Sequence, residues 1–284
     1  MIFILTKVLI ILQKTMPEPE PWGWYHILWI LIVLSTLFFL NKTKKENNEK
    51  QLKMVLGIYS IGTIVLEIIK QIIWTITYDI QTNSFLIDYQ WYAFPFQFCT
   101  TPMFVCFICL FLKKNKTRTT LLSYIAFYTI LGSIATILVP DSCFVTTIEV
   151  NIHTMWLHCG SLIVSIYLLM SGEIKIERKN YINASYVFMF FVVFANFLNV
   201  IMYHSPLLNG EEFNMFYISP YFTSSLPVFN TIQQKVPYPI FLSTYFITMQ
   251  LGAFIIYSIS NLITTPNKDK VSYFAQISTN LTNK

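Results

Sequence analysis

The chain has 284 residues, 55% of them hydrophobic and only 12% charged, with a mean hydropathy of +0.55. Soluble domains carry about twice that share of charge, so a soluble globular protein is excluded. The formal net charge of +5 is spread as short basic blocks between apolar runs, not as a continuous basic face, which excludes nucleic acid as a partner.

Residues 1–14 are apolar but too short to cross a bilayer. Thr6 and Lys7 recur seven residues on as Gln13 and Lys14, so the polar pairs share one helical face and an interfacial helix is expected. A signal peptide is the rival reading, against which stand the missing basic leader and small-residue cleavage site. The alternating prolines at 17–21 make a stiff spacer, and Trp22 and Trp24 fit an interfacial aromatic belt. Residues 1–23 are thus set apart from a transmembrane domain at 24–260 and a tail at 261–284.

Seven apolar runs of spanning length follow, at about 24–40, 54–77, 91–112, 120–139, 150–171, 181–203 and 237–260, which predicts an all-α polytopic bundle. Fifteen lysines and arginines fall in the connections on one side of these spans and three on the other. Positive loops stay cytoplasmic, so the N-terminus is predicted outside and the C-terminus in the cytoplasm. The glycosylation sequons beginning at Asn41, Asn115, Asn183 and Asn280 all avoid the predicted outer loops. The longest connection, 204–236, is too apolar and aromatic for a free loop; it is expected to fold over the outer mouth as a lid or re-entrant segment, with partner binding as the competing explanation.

Ionisable and polar groups inside spans are costly and usually face a bundle interior. Glu67, Lys70 and Gln71 share one face of the second span, where Glu67 and Lys70 are spaced to pair. The third span carries Gln97 and Cys99, the fifth His153 and His158, the sixth Asn196 and Asn199. At a rise of ~1.5 Å per residue, Cys99 and His158 each lie ~12 Å below the outer ends of their spans, with Asn196 and Lys70 roughly 10 Å down. One site in the outer half of the membrane is expected. A thiol beside an imidazole is the arrangement of nucleophilic acyl transfer, with Cys99 as nucleophile, His158 as base and Asn196 or Asn199 as oxyanion donor or orienter. Gln97, His153, Glu67 and Lys70 complete the candidate binding set. On a regular helix Gln97 and Cys99 would point about 200° apart. Pro95 and Pro102 are placed to open the helix and relieve that conflict.

Cysteine 106 and Cys109 form a C-x-x-C without a second pair and read as packing; His153 and His158, five apart, do not share a metal-binding face. No metal or cofactor is expected.

Phe94-Pro95-Phe96-Gln97-Phe98-Cys99, the run His158 to Val164, Asn214 to Ser219 and Pro237-Tyr238-Pro239 together resemble the YwaF-type integral membrane proteins, to which the animal transmembrane protein 164 lipid acyltransferases are related. The resemblance covers roughly residues 55–260. It implies a polytopic bundle that moves acyl chains onto lysophospholipids, with Cys99 at the nucleophile position and His158 as its partner. Membrane lipids, a lysophospholipid and an acyl donor are then the expected partners, and the plasma membrane the expected location. The animal members have a histidine directly after the cysteine, where this chain has Thr100. A transporter or receptor-like bundle, in which Glu67, Lys70 and the histidines line a polar path, is the alternative.

Overall fold

The computed structural model describes residues 2–43, 48–79, 81–82, 84–140 and 143–264. The predicted cytoplasmic tail from 265 onward, and Lys44 and Lys45 of the first basic connection, lie outside these. The chain opens with the short helix α1 (Ile2–Leu12) and continues through α2 (Trp24–Thr43) and α3 (Glu49–Thr75) into a hairpin of β1 (Ile76–Asp79) and β2 (Ser84–Ile87). Then come a 3-10 turn at Trp91–Ala93, α4 (Thr101–Phe111), α5 (Lys116–Tyr124), a π-helical turn at Ile125–Thr129 and α6 (Ile130–Leu138). The helices α7 (Ile148–Ser171), α8 (Arg178–Tyr203), α9 (Phe229–Lys235) and α10 (Tyr238–Thr264) complete the order.

Six helices among the described residues are long and apolar enough to cross a membrane: α2, α3, the continuous run Lys116–Leu138, α7, α8 and α10. They correspond to six of the seven predicted spans. The remaining one, 91–112, is helical only over the 11 residues of α4, about 16 Å, half a bilayer. Proline explains the break. Phe94, before Pro95, takes an extended conformation (φ −51°, ψ 132°), as pre-proline sterics require, and Pro102 sits in the first turn of α4, where its missing N–H costs nothing.

The hairpin was not predicted. Its strands are rich in Ile, Thr, Tyr and Phe and pair Ile76 with Ile87 through Asp79 with Ser84. The end of α1 is tied to the end of α3 and to the α6–α7 connection. Gln13 donates to the carbonyls of Ile73 (3.2 Å) and Ile76 (3.0 Å), and the chain after it pairs with the α6–α7 connection through Met16 N to Thr146 O at 2.8 Å and Ile148 N to Lys14 O at 3.0 Å. At the opposite end Arg118 grips Glu49 with two bonds, of 2.7 and 2.6 Å.

The centre of the bundle is the π-turn, whose residues Ile125 to Tyr128 have no exposed surface. A π-turn leaves a helical carbonyl without its usual donor. Here the Ile125 carbonyl accepts from Thr129 Oγ1 (2.8 Å) and from Ser165 Oγ of α7 (3.0 Å). On its other side Tyr128 bonds Ser185 of α8 and Gln250 of α10, tying three spans together.

Helices α3 and α7 approach closely because two glycines face aromatic rings. A Cβ at Gly62 would stand 2.6 Å from the Trp156 ring, and one at Gly160 would stand 2.7 Å from the Tyr59 ring. Small residues are what let helices meet in lipid. Gly160→Ala is expected to lower the stability of the detergent-solubilised protein by ~1–3 kcal/mol, read as a lower thermal midpoint.

Candidate functional site

Cysteine 99 sits in the turn that replaces the upper half of the third span, one residue before the cap of α4. Two threonines lock that turn. Thr100 Oγ1 accepts from the Gln97 amide (2.9 Å) and donates back to nearby carbonyls, while Thr101 Oγ1 bonds the Phe98 carbonyl (2.8 Å) and the Tyr124 hydroxyl (2.7 Å). Cys99 thus lies in sequence just before the N-terminal, positive end of α4. Because residues 94–100 are not a regular helix, the 200° conflict between Gln97 and Cys99 does not arise.

The 204–236 connection does fold into the bundle: Phe213, Met215, Phe216 and Ile218 are fully buried. Gln97 holds it by donating to Asn214 O (3.0 Å) and accepting from Phe216 N (2.7 Å). Asn199 clasps both backbone atoms of Met215, at 3.0 and 2.7 Å. The Tyr238 hydroxyl lies between Asn196 Oδ1 (2.6 Å) and the Ile218 carbonyl (2.9 Å).

Gln97, Asn196 and Asn199, expected as substrate and oxyanion contacts, thus hold the 204–236 connection and the start of α10 in place. A loop buried among apolar spans needs partners for its own peptide groups; Gln97 and Asn199 supply them at Asn214, Met215 and Phe216, while Asn196 accepts from the Tyr238 hydroxyl. The bonds from Gln97 and Asn199 bracket Phe216 and Tyr217, which stand at φ +59° and +57°. That left-handed conformation costs a non-glycine residue about 1–3 kcal/mol and persists only where surroundings impose it.

The ionisable groups of α3 and α7 do assemble. Lys70 Nζ is 2.7 Å from Glu67 Oε1, and His153 Nε2 is 2.8 Å from Glu67 Oε2, out of line for a hydrogen bond but close for an ion pair. Gln71 donates to Glu67 Oε1 and to the Ala93 carbonyl, both at 2.7 Å. All three ionisable residues are buried. Glu149, in the first turn of α7, lies within electrostatic reach of Lys70 and Glu67, and neither of its buried carboxylate oxygens has a hydrogen-bond partner. It escaped the sequence reading because the fifth span was begun one residue after it.

Cys99 and His158 stand apart from these closed networks. Neither side chain makes a hydrogen bond to another residue among the described ones, although Cys99 is only half-buried and His158 is buried. Cys99 is within electrostatic reach of Lys70, Glu67 and Cys143, and of the phenols of Tyr59, Tyr124, Tyr217 and Tyr245. Burial pushes the Tyr217 phenol up to about 12, so its O–H stays on as a donor near the sulfur. The strained Asn214 to Ser219 run carried the only sequence signal for Tyr217. On α7, His158 shares a stripe with Ser161 and Ser165, both of which bond Thr129 of the π-turn. Thr101, two residues after Cys99, bonds Tyr124 at the start of the same segment. Cys106 and Cys109 are free thiols buried in the hydrophobic core, and no cluster of metal-ligating side chains occurs among the described residues.

No curated protein and no solved structure matches the chain. The sequence model of the TMEM164 family matches residues 20–265, which take in every spanning helix and the whole site, so this multi-pass membrane protein belongs to the TMEM164 family.

Proposed function

We propose that the protein is a phospholipid acyltransferase, with the plasma membrane as its host bilayer, in which Cys99 carries the acyl chain and His158 moves the proton. The observation that carries this reading is the pair of polar side chains left without partners. Buried polar groups are almost always satisfied, and one that is not calls for a role. Other buried groups, the Tyr167 hydroxyl and the Glu149 carboxylate among them, also lack hydrogen-bond partners, but this thiol and this imidazole are the nucleophile and base types of acyl transfer and are held on elements that pack against the same π-turn.

The chemistry balances as a two-step exchange. The Cys99 thiol gives its proton to His158, and the sulfur attacks the ester carbonyl of a donor phospholipid. A C–S bond forms, the ester C–O bond breaks, and His158 returns the proton to the departing lysolipid oxygen. The hydroxyl of an acceptor lysophospholipid then gives its proton to His158 while its oxygen attacks the thioester; the new C–O bond forms, the C–S bond breaks, and His158 returns the proton to the sulfur, restoring an ester and the free thiol. The α4 N-terminus and the neighbouring phenols face the charge that develops on sulfur and on the carbonyl oxygen.

The test uses the purified protein in liposomes with a donor phospholipid and an isotope-labelled lysophospholipid. Acyl transfer to the labelled acceptor is expected, with a hydroxylamine-labile acyl mass on the peptide containing Cys99. His158→Gln should slow transfer by ~10²–10⁴-fold, the usual contribution of a general base. A wild-type protein that neither moves acyl chains nor ever carries that mass would overturn the reading.

A further inference from the structure

The contact between α3 and α7 carries an unbalanced charge. Glu149 and His153 are four residues apart on α7, so their side chains share the face that meets α3. There His153 stands 2.8 Å from one oxygen of Glu67, and Lys70 stands 2.7 Å from the other. Two carboxylates, those of Glu67 and Glu149, therefore answer to a single lysine. The other titratable groups within electrostatic reach of the cluster are Tyr89 and Cys99, from the segment after the hairpin, and His158 of α7, none of which carries a permanent positive charge. Lys14, whose carbonyl bonds the Ile148 amide, has an exposed side chain.

A net charge enclosed between membrane-spanning helices is costly, and a group so placed takes up a counter-charge instead. With Glu67 ionised against Lys70, the second carboxylate needs a cation of its own. Glu149 is only 9% exposed, and both of its oxygens are buried without a hydrogen-bond partner. Neither oxygen is open to anything the size of a water molecule, so a hydrated metal ion or an ammonium headgroup does not fit as the missing cation. A proton does. It has two places to sit: on Glu149 itself, or on His153, where it turns the 2.8 Å approach to Glu67 into a full ion pair and leaves Glu149 as the balancing anion.

We infer that Glu149 and His153 share one bound proton, which balances the cluster and makes it a pH-sensitive lock between α3 and α7. Loss of that proton leaves the contact with one negative charge in excess, so the folded state binds more protons than the unfolded chain there and stability falls as pH rises. A second proton leaves one positive charge in excess, so stability also falls toward acid, and the lock is strongest between the two limits. The helix it secures carries His158 as well, but the inference stands independently of acyl transfer.

The full-length protein in detergent is titrated while three signals are followed: the infrared carbonyl stretch of a protonated carboxylic acid, the ring nitrogens of isotope-labelled histidine by NMR, and the thermal midpoint. At the pH of greatest stability one of two signals is expected. Either an acid band is present that Glu149→Gln removes, or a cationic histidine signal is present that His153→Gln removes. As pH rises, that signal should vanish while the wild-type midpoint drops by several degrees. Glu149→Gln deletes the surplus charge and nearly keeps the shape, so it should lack this alkaline drop; should it fail to fold, Glu149→Met, equally uncharged, takes its place. In His153→Gln the drop should persist, because the proton then resides on Glu149. An ionised Glu149 beside a neutral His153 at the stability maximum overturns the proton site. Parallel alkaline profiles for wild type and the uncharged variant overturn the lock.

Discussion

Cys99→Ala protein is expected to be folded, to bind phospholipid, and to transfer acyl chains no faster than background, a loss on the order of a thousandfold or more as for nucleophile removal in other covalent enzymes. The substitution removes one sulfur from a residue that bonds no other side chain, so the locked turn at Thr100 and Thr101 and the helix behind it keep their contacts. Lipidomics of cells expressing wild type against the variant, with a thermal melt as control for folding, measures both halves of the expectation. The result also separates the two classes of function. A transporter or receptor-like bundle whose polar groups line a path has no need of this thiol and would keep its activity, with an unchanged lipid profile. Cys99→Ser is the informative intermediate: an oxygen nucleophile in the same place retains a trace of transfer if His158 supplies the base.

The largest structural effect is expected at Glu67. Its carboxylate meets Lys70, His153 and Gln71 at once, in a buried position, and removing it strands a cation where water does not reach. Breaking one partner of a buried ion pair costs about 3–5 kcal/mol, because what remains is an uncompensated charge. Glu67→Ala should therefore lower the melting midpoint in detergent on the order of 10 °C. The double variant Glu67→Gln with Lys70→Met should lose much less than the two single changes together, since no lone charge is left. Strict additivity would mean that the contact at 2.7 Å contributes little to the folded state. Glu149 sharpens the point: with both carboxylate oxygens unpartnered near Lys70, it makes the cluster a place where one more substitution weighs heavily.

Several residues picked out by the cost of polarity in lipid were picked out correctly as interior groups, but their partners were not legible. Gln97, Asn196 and Asn199 do face inward. The partners of Gln97 and Asn199, at Asn214 to Phe216, lie more than a hundred residues from Gln97 in the chain, and that of Asn196 is Tyr238 of α10. Glu67 and Lys70 pair as their spacing within one helix requires, whereas His153 joins them only because Gly62 and Gly160 let α7 lie against α3.

The amino-acid order by itself determined that the chain lives in a bilayer, where its long helices run, and that residues near Pro95 and Pro102 could not continue one. Those are local matters, since the transfer of each apolar run into lipid and the steric rule at each proline depend on neighbours within a few residues. Only the tertiary structure decided that the third span is half a helix, that the 204–236 connection folds into the bundle, and that Glu67 and Lys70 of α3 meet His153 of α7. Each of these depends on contacts between distant parts of the chain, whose geometry is set by packing and by the satisfaction of buried peptide groups.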